Sequence, residues 1–157
     1  PICIKSHTKL ISYTPEQNEI DLELALLYAV EQGADRIVIA GLMGGRMDMT
    51  LANILLLTHA GLSSCRIEIW HEEQTGWIIK PPGEDIHGQP GDKVSLIPLE
   101  GRASGITNTG FKYPLRNETL MPGKTRGISN LLEKTRGHIE FCEGTILVIH
   151  TPAKYQK

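Results

Sequence analysis

The sequence lacks several features that would place it in a large class of proteins. Its three cysteines, Cys3, Cys65 and Cys142, are scattered and never stand in a C-x-x-C spacing, so neither a disulfide framework nor a cysteine zinc site is indicated. The six histidines show no H-E-x-x-H spacing, and a histidine metal site is therefore not expected. Lysine and arginine total 16 against 18 aspartates and glutamates, which leaves no basic field to attract nucleic acid or anionic lipid.

Long apolar runs are also missing. The longest, such as residues 54–57 and 146–149, are far too short to cross a bilayer, and the first residues show no apolar signal-peptide segment. We therefore expect a soluble, cytoplasmic protein that has neither nucleic-acid nor membrane partners.

The pattern of the first 64 residues is helical with one short strand. Residues 21–32 place apolar side chains on one helical stripe, and Gly33 stands where a helix C-cap is wanted. RIVIA at 36–40 is typical of a buried parallel strand, and a second helix is predicted over 48–60. This order indicates a unit of a doubly wound α/β sheet, in which ligands bind at the carboxyl ends of strands. The second helix should bury one stripe: Leu51, Ile54, Leu55 and Thr58.

From residue 66 the pattern changes to short strands separated by Gly, Pro, Asn and Asp. These runs indicate an antiparallel sandwich or barrel, with one short helix, SNLLEK, after Gly127. The predicted fold class is α/β plus all-β: a partial doubly wound α/β domain over residues 1–64, followed by an antiparallel β-sandwich or barrel over residues 65–157. The predicted strands are RIEIW, WIIKPP, KVSLIPL, GITNTG, HIEF and TILVIHT.

The segment GLMGGRMD, residues 41–48, is the first candidate site. Gly44 and Gly45 lack side chains, so their backbone N–H groups can approach a phosphate beside the next helix. Arg46 offers a forked donor for phosphate oxygens, and Asp48 is suited to a metal ion. A tight strand-to-helix turn, with Asp48 in the first helical turn and Arg46 in solvent, explains the same residues equally well.

Two further segments carry polar groups. In QNEIDLELAL, residues 17–26, Glu19 and Asp21 are either ordinary first-turn acids that complement the helix dipole or carboxylates that reach a metal. Residues 110–130 combine four basic side chains with Gly, Pro, Asn and Thr, which is typical of surface turns.

Taken together and in order, four stretches resemble the thiamine pyrophosphokinase family: QNEIDLELAL, GLMGGRMDMTLAN, GFKYPL and GISN. The resemblance implies transfer of pyrophosphate from ATP to thiamine with Mg²⁺, in a homodimer whose site lies between subunits. It also implies residue roles. Asp21 and Asp48 are catalytic, and Asp21 also serves the metal. Gly44, Gly45 and Arg46 bind the nucleotide, and Gln17, Ser129 and Asn130 bind thiamine.

The departures from the family pattern concern polar contacts. The family's acidic G-D-x-D-S stretch has no counterpart before Gln17, so the N-terminal part of the α/β domain is expected to be missing. Asn18 replaces an aspartate, Ile20 a threonine, and Met49 a histidine or glutamine. Leu131 follows Ser129–Asn130 where an acid is common. The alternative function is therefore a diverged or truncated module that binds thiamine or nucleotide without catalysis.

Overall fold

The computed structural model describes residues 10–13 and 19–155. Ten strands and two α-helices are described, and short 3-10 helices follow α2 and β10. In chain order the elements are α1 Asp21–Glu31, β1 Arg36–Ala40, α2 Met47–Leu56, β2 Arg66–His71, β3 Gln74–Ile79, β4 Gly83–His87, β5 Lys93–Pro98, β6 Ala103–Thr109, β7 Glu118–Leu120, β8 Asn130–Leu131, β9 Arg136–Glu140 and β10 Ile146–Thr151.

Two sheets organise the chain. The larger has six strands in the order β1-β2-β3-β10-β5-β8, and the smaller has four in the order β4-β9-β6-β7. β1 and β2 pair in parallel, whereas the other named pairs are antiparallel. The predicted combination of an α/β unit with an antiparallel sandwich is thereby confirmed. The division at residues 64 and 65 stays a prediction, since β2 continues the sheet of β1.

Two apolar cores follow from this arrangement. One lies between the sheets and draws on both, with Val94, Ile106 and Ile139 fully buried. The other lies between the helices and the larger sheet and includes Leu26 of α1 and Ile69 of β2. Because successive strand residues point to opposite faces, a strand at the centre of the larger sheet contributes to both cores.

The elements predicted for the first half are present, with differences in burial. α1 ends before Gly33, whose φ of 87° is the left-handed conformation that glycine adopts after a helix. β1 is parallel as predicted, but Val38 remains 41% exposed because β1 is the edge strand of the larger sheet among the described residues. The stripe predicted for α2 is wrong in part: Ile54 packs against the helix-side core, whereas Leu51 and Leu55 are exposed.

Each of the six strands predicted for the second half overlaps an observed strand, but WIIKPP is strand only up to Ile79, and β4 and β7 were not predicted. The predicted SNLLEK helix is wrong. Asn130 and Leu131 instead form β8 and pair with Val94 and Lys93 of β5. A helix cannot begin there because Ser129 has a positive φ of 58°. In the part of the chain that is described, no helix is both long and apolar enough to cross a membrane.

Asp92 is the residue before β5, and it should make the stability of the folded protein depend on pH. Burial opposes its ionisation, but bonds from the Gln89 and Ala153 N–H groups and from the His150 ring, all at 2.7–2.8 Å, outweigh this and lower the Asp92 pKa. A lowered folded-state pKa contributes stability above the unfolded value, about 4, which is lost as pH falls through the folded value.

We expect Asp92→Asn to lower the free energy of unfolding at pH 7 by about 2–4 kcal/mol, because an amide cannot accept all these bonds. The measurement is urea unfolding from pH 7 to pH 3. The difference between wild type and variant should shrink at the acid end; a constant difference would contradict this role of the carboxylate. Glu133→Gln, at an exposed site, is the control.

Candidate functional site

The glycine loop leaves the carboxyl end of β1 and enters α2 directly. Gly44 and Gly45 have φ values of 138° and 55°, and apart from the adjacent residues no heavy atom lies within 4 Å of where a Cβ would stand on either one. The backbone conformation, rather than crowding, therefore calls for glycine here. The surrounding space leaves the loop backbone open to a ligand at the carboxyl edge of the sheet.

Arg46 and Asp48 form a forked ion pair at the start of α2. Arg46 Nε lies 3.1 Å and Nη2 2.5 Å from the two oxygens of the Asp48 carboxylate. The guanidinium holds the pKa of Asp48 below its usual range, and the carboxylate raises that of Arg46. Both side chains stay mostly exposed, at 73% and 65%. The structure therefore pairs the two predicted residues and leaves the pair accessible.

Asp21 stands in the first turn of α1 and lines a cavity of about 320 Å³. The other described residues that line it are apolar or phenolic: Ile11, Tyr13, Leu24, Ala25 and Tyr28. Ala25, one of the apolar side chains of α1, thus faces this cavity. No group of three or more His, Cys, Asp or Glu side chains in the described ranges is arranged to hold a metal by itself.

α1 reaches the amino end of β1 through the short turn of residues 32–35. Its first half packs against the segment that follows α2: Glu23 Oε1 lies 3.9 Å from His59 Nε2, and the Leu27 side chain lies against Gly61. The position of Asp21 relative to the glycine loop belongs to the functional proposal.

Ser129 and Asn130 lie at the opposite edge of the same sheet. β8 is the sixth strand in an order that begins with β1, and five inter-strand spacings amount to about 24 Å. Within one chain the structure therefore does not bring them next to Arg46. Gln17 lies outside the described residues.

The side-chain amide of Asn130 fastens a turn. Its Oδ1 accepts hydrogen bonds from the N–H groups of Tyr113 and Leu131, and its Nδ2 donates to the Tyr113 carbonyl at 2.6 Å. Asn108, which the sequence reasoning did not single out, clamps the same turn through the Leu115 N–H at 2.7 Å. Asn130 thereby holds the backbone of Tyr113, whose side chain is 47% exposed. A polar residue at an inward strand position was the available signal for Asn108.

Replacing Asn130 with alanine should loosen this turn. The change removes three hydrogen bonds from a side chain that is 8% exposed, and we expect about 2–4 kcal/mol less unfolding free energy because buried backbone groups lose their partners. Ser129→Ala, at the exposed neighbouring position, should change it by less than about 0.5 kcal/mol. Equal effects of the two changes in urea unfolding would contradict the clamp.

Comparison with known proteins places these features in a family context. Residues 2–70 match the model described as thiamin pyrophosphokinase, catalytic domain, and residues 78–146 match thiamin pyrophosphokinase, vitamin B1 binding domain. The thiamine pyrophosphokinase of Bacillus subtilis (strain 168) is 37% identical over 149 residues, which cover 94% of this chain and 69% of the relative.

Solved structures give the same picture. The crystal structure of the Bacillus subtilis thiamine pyrophosphokinase has a TM-score of 0.80 at 34% identity, over 87% of this chain and 64% of that one. That of thiamin pyrophosphokinase from Geobacillus thermodenitrificans has a TM-score of 0.77 at 33% identity, over 89% and 65%. The chain thus spans about two thirds of the length of these relatives.

Proposed function

Because the chain belongs to the thiamine pyrophosphokinase family, we propose that the protein transfers pyrophosphate from ATP to the hydroxyethyl oxygen of thiamine, giving thiamine diphosphate and AMP. The observation that carries this proposal is the accessible loop after β1, where the exposed Arg46 guanidinium follows the open backbone of Gly44 and Gly45. Phosphoryl transfers of this kind depend chiefly on positioning and on neutralising phosphate charge. The loop supplies a cation and N–H donors, and we place the Asp21 carboxylate beside the substrate hydroxyl.

Each of these residues has a distinct part in the proposal. The N–H groups of Gly44 and Gly45 and the Arg46 guanidinium bind phosphate oxygens. Asp48 accepts two hydrogen bonds from the Arg46 guanidinium. These bonds fix the plane of the guanidinium until a phosphate competes for it. Asp21 accepts the hydroxyl proton of thiamine or orients that hydroxyl.

Magnesium fits this arrangement only together with the nucleotide. Mg²⁺ is commonly bound by one or two carboxylates plus substrate phosphates, and the Asp21 carboxylate opens on a cavity that a ligand can enter. Bound in this way, the ion would neutralise part of the charge on the phosphates. The role of Asp21 as a metal ligand belongs to the proposal.

A homodimer with sites between subunits also belongs to the proposal. Ser129 and Asn130 stand about 24 Å from β1 across the sheet, too far for one thiamine molecule to touch both edges of one chain. A second copy can bring them together. Exposed apolar side chains in the same half of the chain, Tyr113, Met121 and Ile128, support such a contact. Asn130 would then act by positioning Tyr113 and Ser129.

We also propose that the protein is located in the cytoplasm.

The decisive experiment measures AMP formed from ATP and Mg²⁺ with and without thiamine. Thiamine-dependent AMP is expected. If thiamine and ATP bind in calorimetry but no AMP appears, the protein is a binding module, as the replacements Asn18, Ile20 and Met49 suggest. If neither binds, both functions are rejected.

Mixing two inactive variants tests the shared site. Asp21→Asn and Ser129→Trp would block opposite halves, so mixed dimers contain one intact site. We expect about a quarter of wild-type activity after mixing. Activity that stays at the level of the separate variants would contradict a site between subunits.

A further inference from the structure

α2 has the composition of a buried helix but is not buried. Its ten residues, MDMTLANILL, contain a single charged side chain, and none of the ten is buried. Met47, Leu51 and Leu55 follow one another at four-residue intervals and form one flank of the helix, the α2 flank. They are 86%, 58% and 47% exposed. Because a helix that is apolar on most sides is normally covered on most sides, the α2 flank is suited to a contact that the described part of one chain does not supply.

The position of Ile54 shows where α2 lies on the larger sheet. Ile54 lines a small cavity of about 20 Å³ together with Ile69 of β2, Gly76 of β3 and Ile149 of β10. α2 therefore lies over β2 and β3. Leu51 precedes Ile54 by three residues, so the α2 flank is on the side of the helix that is next to β10.

The same face of the larger sheet continues beyond α2 onto β10 and β5. Alternate residues of β5 are buried in the core between the sheets, and the others, which include Ser95 and Ile97, are half-buried on the helix side. Ile149 of β10 pairs with Ser95 and is half-buried on this face as well. This surface, the β10–β5 face, forms a step with the α2 flank, and a second apolar body can fill the step.

Both halves of the proposed site lie at one level of the sheet. Ala40, which precedes the glycine loop, and Asn130, which follows Ser129, are joined by an unbroken row of paired residues: Ala40, Trp70, Thr75, His150, Val94 and Asn130. Ser129 also reaches the helix side of the sheet, because its N–H donates to Ser95 Oγ at 3.0 Å. The glycine loop and Ser129 are therefore separated across the strands and not along them.

A two-fold axis parallel to the strands fits this geometry. Such an axis, placed between β3 and β10, turns the helix sides of two copies toward each other and sets β8 of one copy opposite β1 of the other. Because α2 lies over β2 and β3, it is about 5 Å from the axis, and the two α2 helices are about 10 Å apart. This separation agrees with the 8–10 Å at which helices pack, roughly, in proteins.

We propose that the α2 flank and the β10–β5 face form the contact between two copies of this chain. The two α2 helices lie side by side between the two larger sheets, and each covers the β10–β5 face of the other copy. This inference rests on the proposed function and deepens it by naming the surface of the partner. It sets Ser129 of the partner subunit opposite the Gly41–Arg46 loop across a gap of about one helix layer, roughly 10 Å, which leaves room for a substrate.

Sedimentation equilibrium of the full chain and of a Leu51→Glu variant tests the contact. The wild type should sediment as a dimer. Leu51→Glu should raise the dimer dissociation constant by at least about 100-fold, because every dimer would bury two carboxylates. Circular dichroism should show an unchanged fold, since Leu51 is exposed within one chain.

Val38→Glu is the matched control. Val38 is also exposed and apolar, but it points to the opposite face of β1 from Ile39, which is buried on the helix side. This variant should dimerise as the wild type does. A wild-type chain that is monomeric at every concentration, or a folded Leu51→Glu that dimerises as tightly as the wild type, would overturn the proposal.

Cross-linking tests the arrangement without disrupting it. Two α2 helices related by the two-fold axis bring the two copies of residue 51 close together, so Leu51→Cys should form a covalent dimer with a short bismaleimide. Val38→Cys should give only the background of the native cysteines. This measurement decides the question if Leu51→Glu does not fold, and the absence of a covalent Leu51→Cys dimer would contradict the proposed packing.

The outcomes also separate this inference from the proposed function. If Leu51→Glu is a folded monomer that still forms thiamine-dependent AMP, the contact stands and the site shared between subunits is rejected. If the wild type forms AMP as a dimer that Leu51→Glu does not weaken, the proposed function stands and this contact is rejected.

Discussion

Asp21→Asn is expected to lower the kcat of thiamine-dependent AMP formation by about 10²- to 10⁴-fold, the range typical of losing a general acid–base group. The amide keeps the size of the side chain but neither accepts a proton nor attracts a cation. Because Asp21 lies in the first turn of α1 on a cavity wall, the change should leave the fold intact. Steady-state kinetics at saturating thiamine and ATP measure the effect.

Glu19→Gln is the matched control for Asp21→Asn. Glu19 lies two residues before Asp21, is exposed, and would complement the helix dipole equally well. A mere dipole role predicts small and similar effects of the two changes, seen mainly in stability. If both variants keep near wild-type kcat, Asp21 is an ordinary helix-terminal acid and the catalytic assignment fails.

Arg46→Ala should give the second largest loss, about 10²- to 10³-fold in kcat/KM for ATP, because removing a charge-stabilising donor has effects of this size. Arg46→Lys should recover only part of it, since an ammonium cannot form the forked contact of a guanidinium. Thiamine binding measured without ATP should not change. The effect thus separates by substrate, in keeping with a role at the nucleotide.

Stability provides the control for Arg46. Its ion pair with Asp48 is mostly open to solvent, and surface pairs contribute little. The urea midpoint of Arg46→Ala should therefore match that of the wild type. A large drop in the midpoint would indicate a structural role for the loop pair instead.

The regular elements could be predicted because their patterns are local. The helical spacing of α1, its C-terminal Gly33 and the alternating β strands bounded by Gly and Pro follow from backbone geometry. The helix predicted for SNLLEK is wrong for a non-local reason. Asn130 pairs with β5, which is more than thirty residues away in the sequence. Local helix propensity cannot show such a pairing.

The candidate site was predictable in composition but not in geometry. The glycines and Arg46 stand out in the sequence, whereas the bidentate contact between Arg46 and Asp48 depends on rotamers at the start of α2. Leu51 and Leu55 satisfy a helical stripe, yet the described packing buries Ile54 and leaves them exposed. The Asn108–Asn130 clamp joins two strands and a turn that only tertiary structure brings together.

The position of β10 bears on how the chain folds. This strand lies between β3 and β5, with Val148 in one core and Leu147 in the other. It follows β3 by more than sixty residues, so neither core is complete until residues 146–151 have been synthesised. Folding that waits for such distant pairing is slow and exposes strand edges meanwhile. We expect nascent chains that end before β10 to depend on chaperones, and the two halves to unfold together.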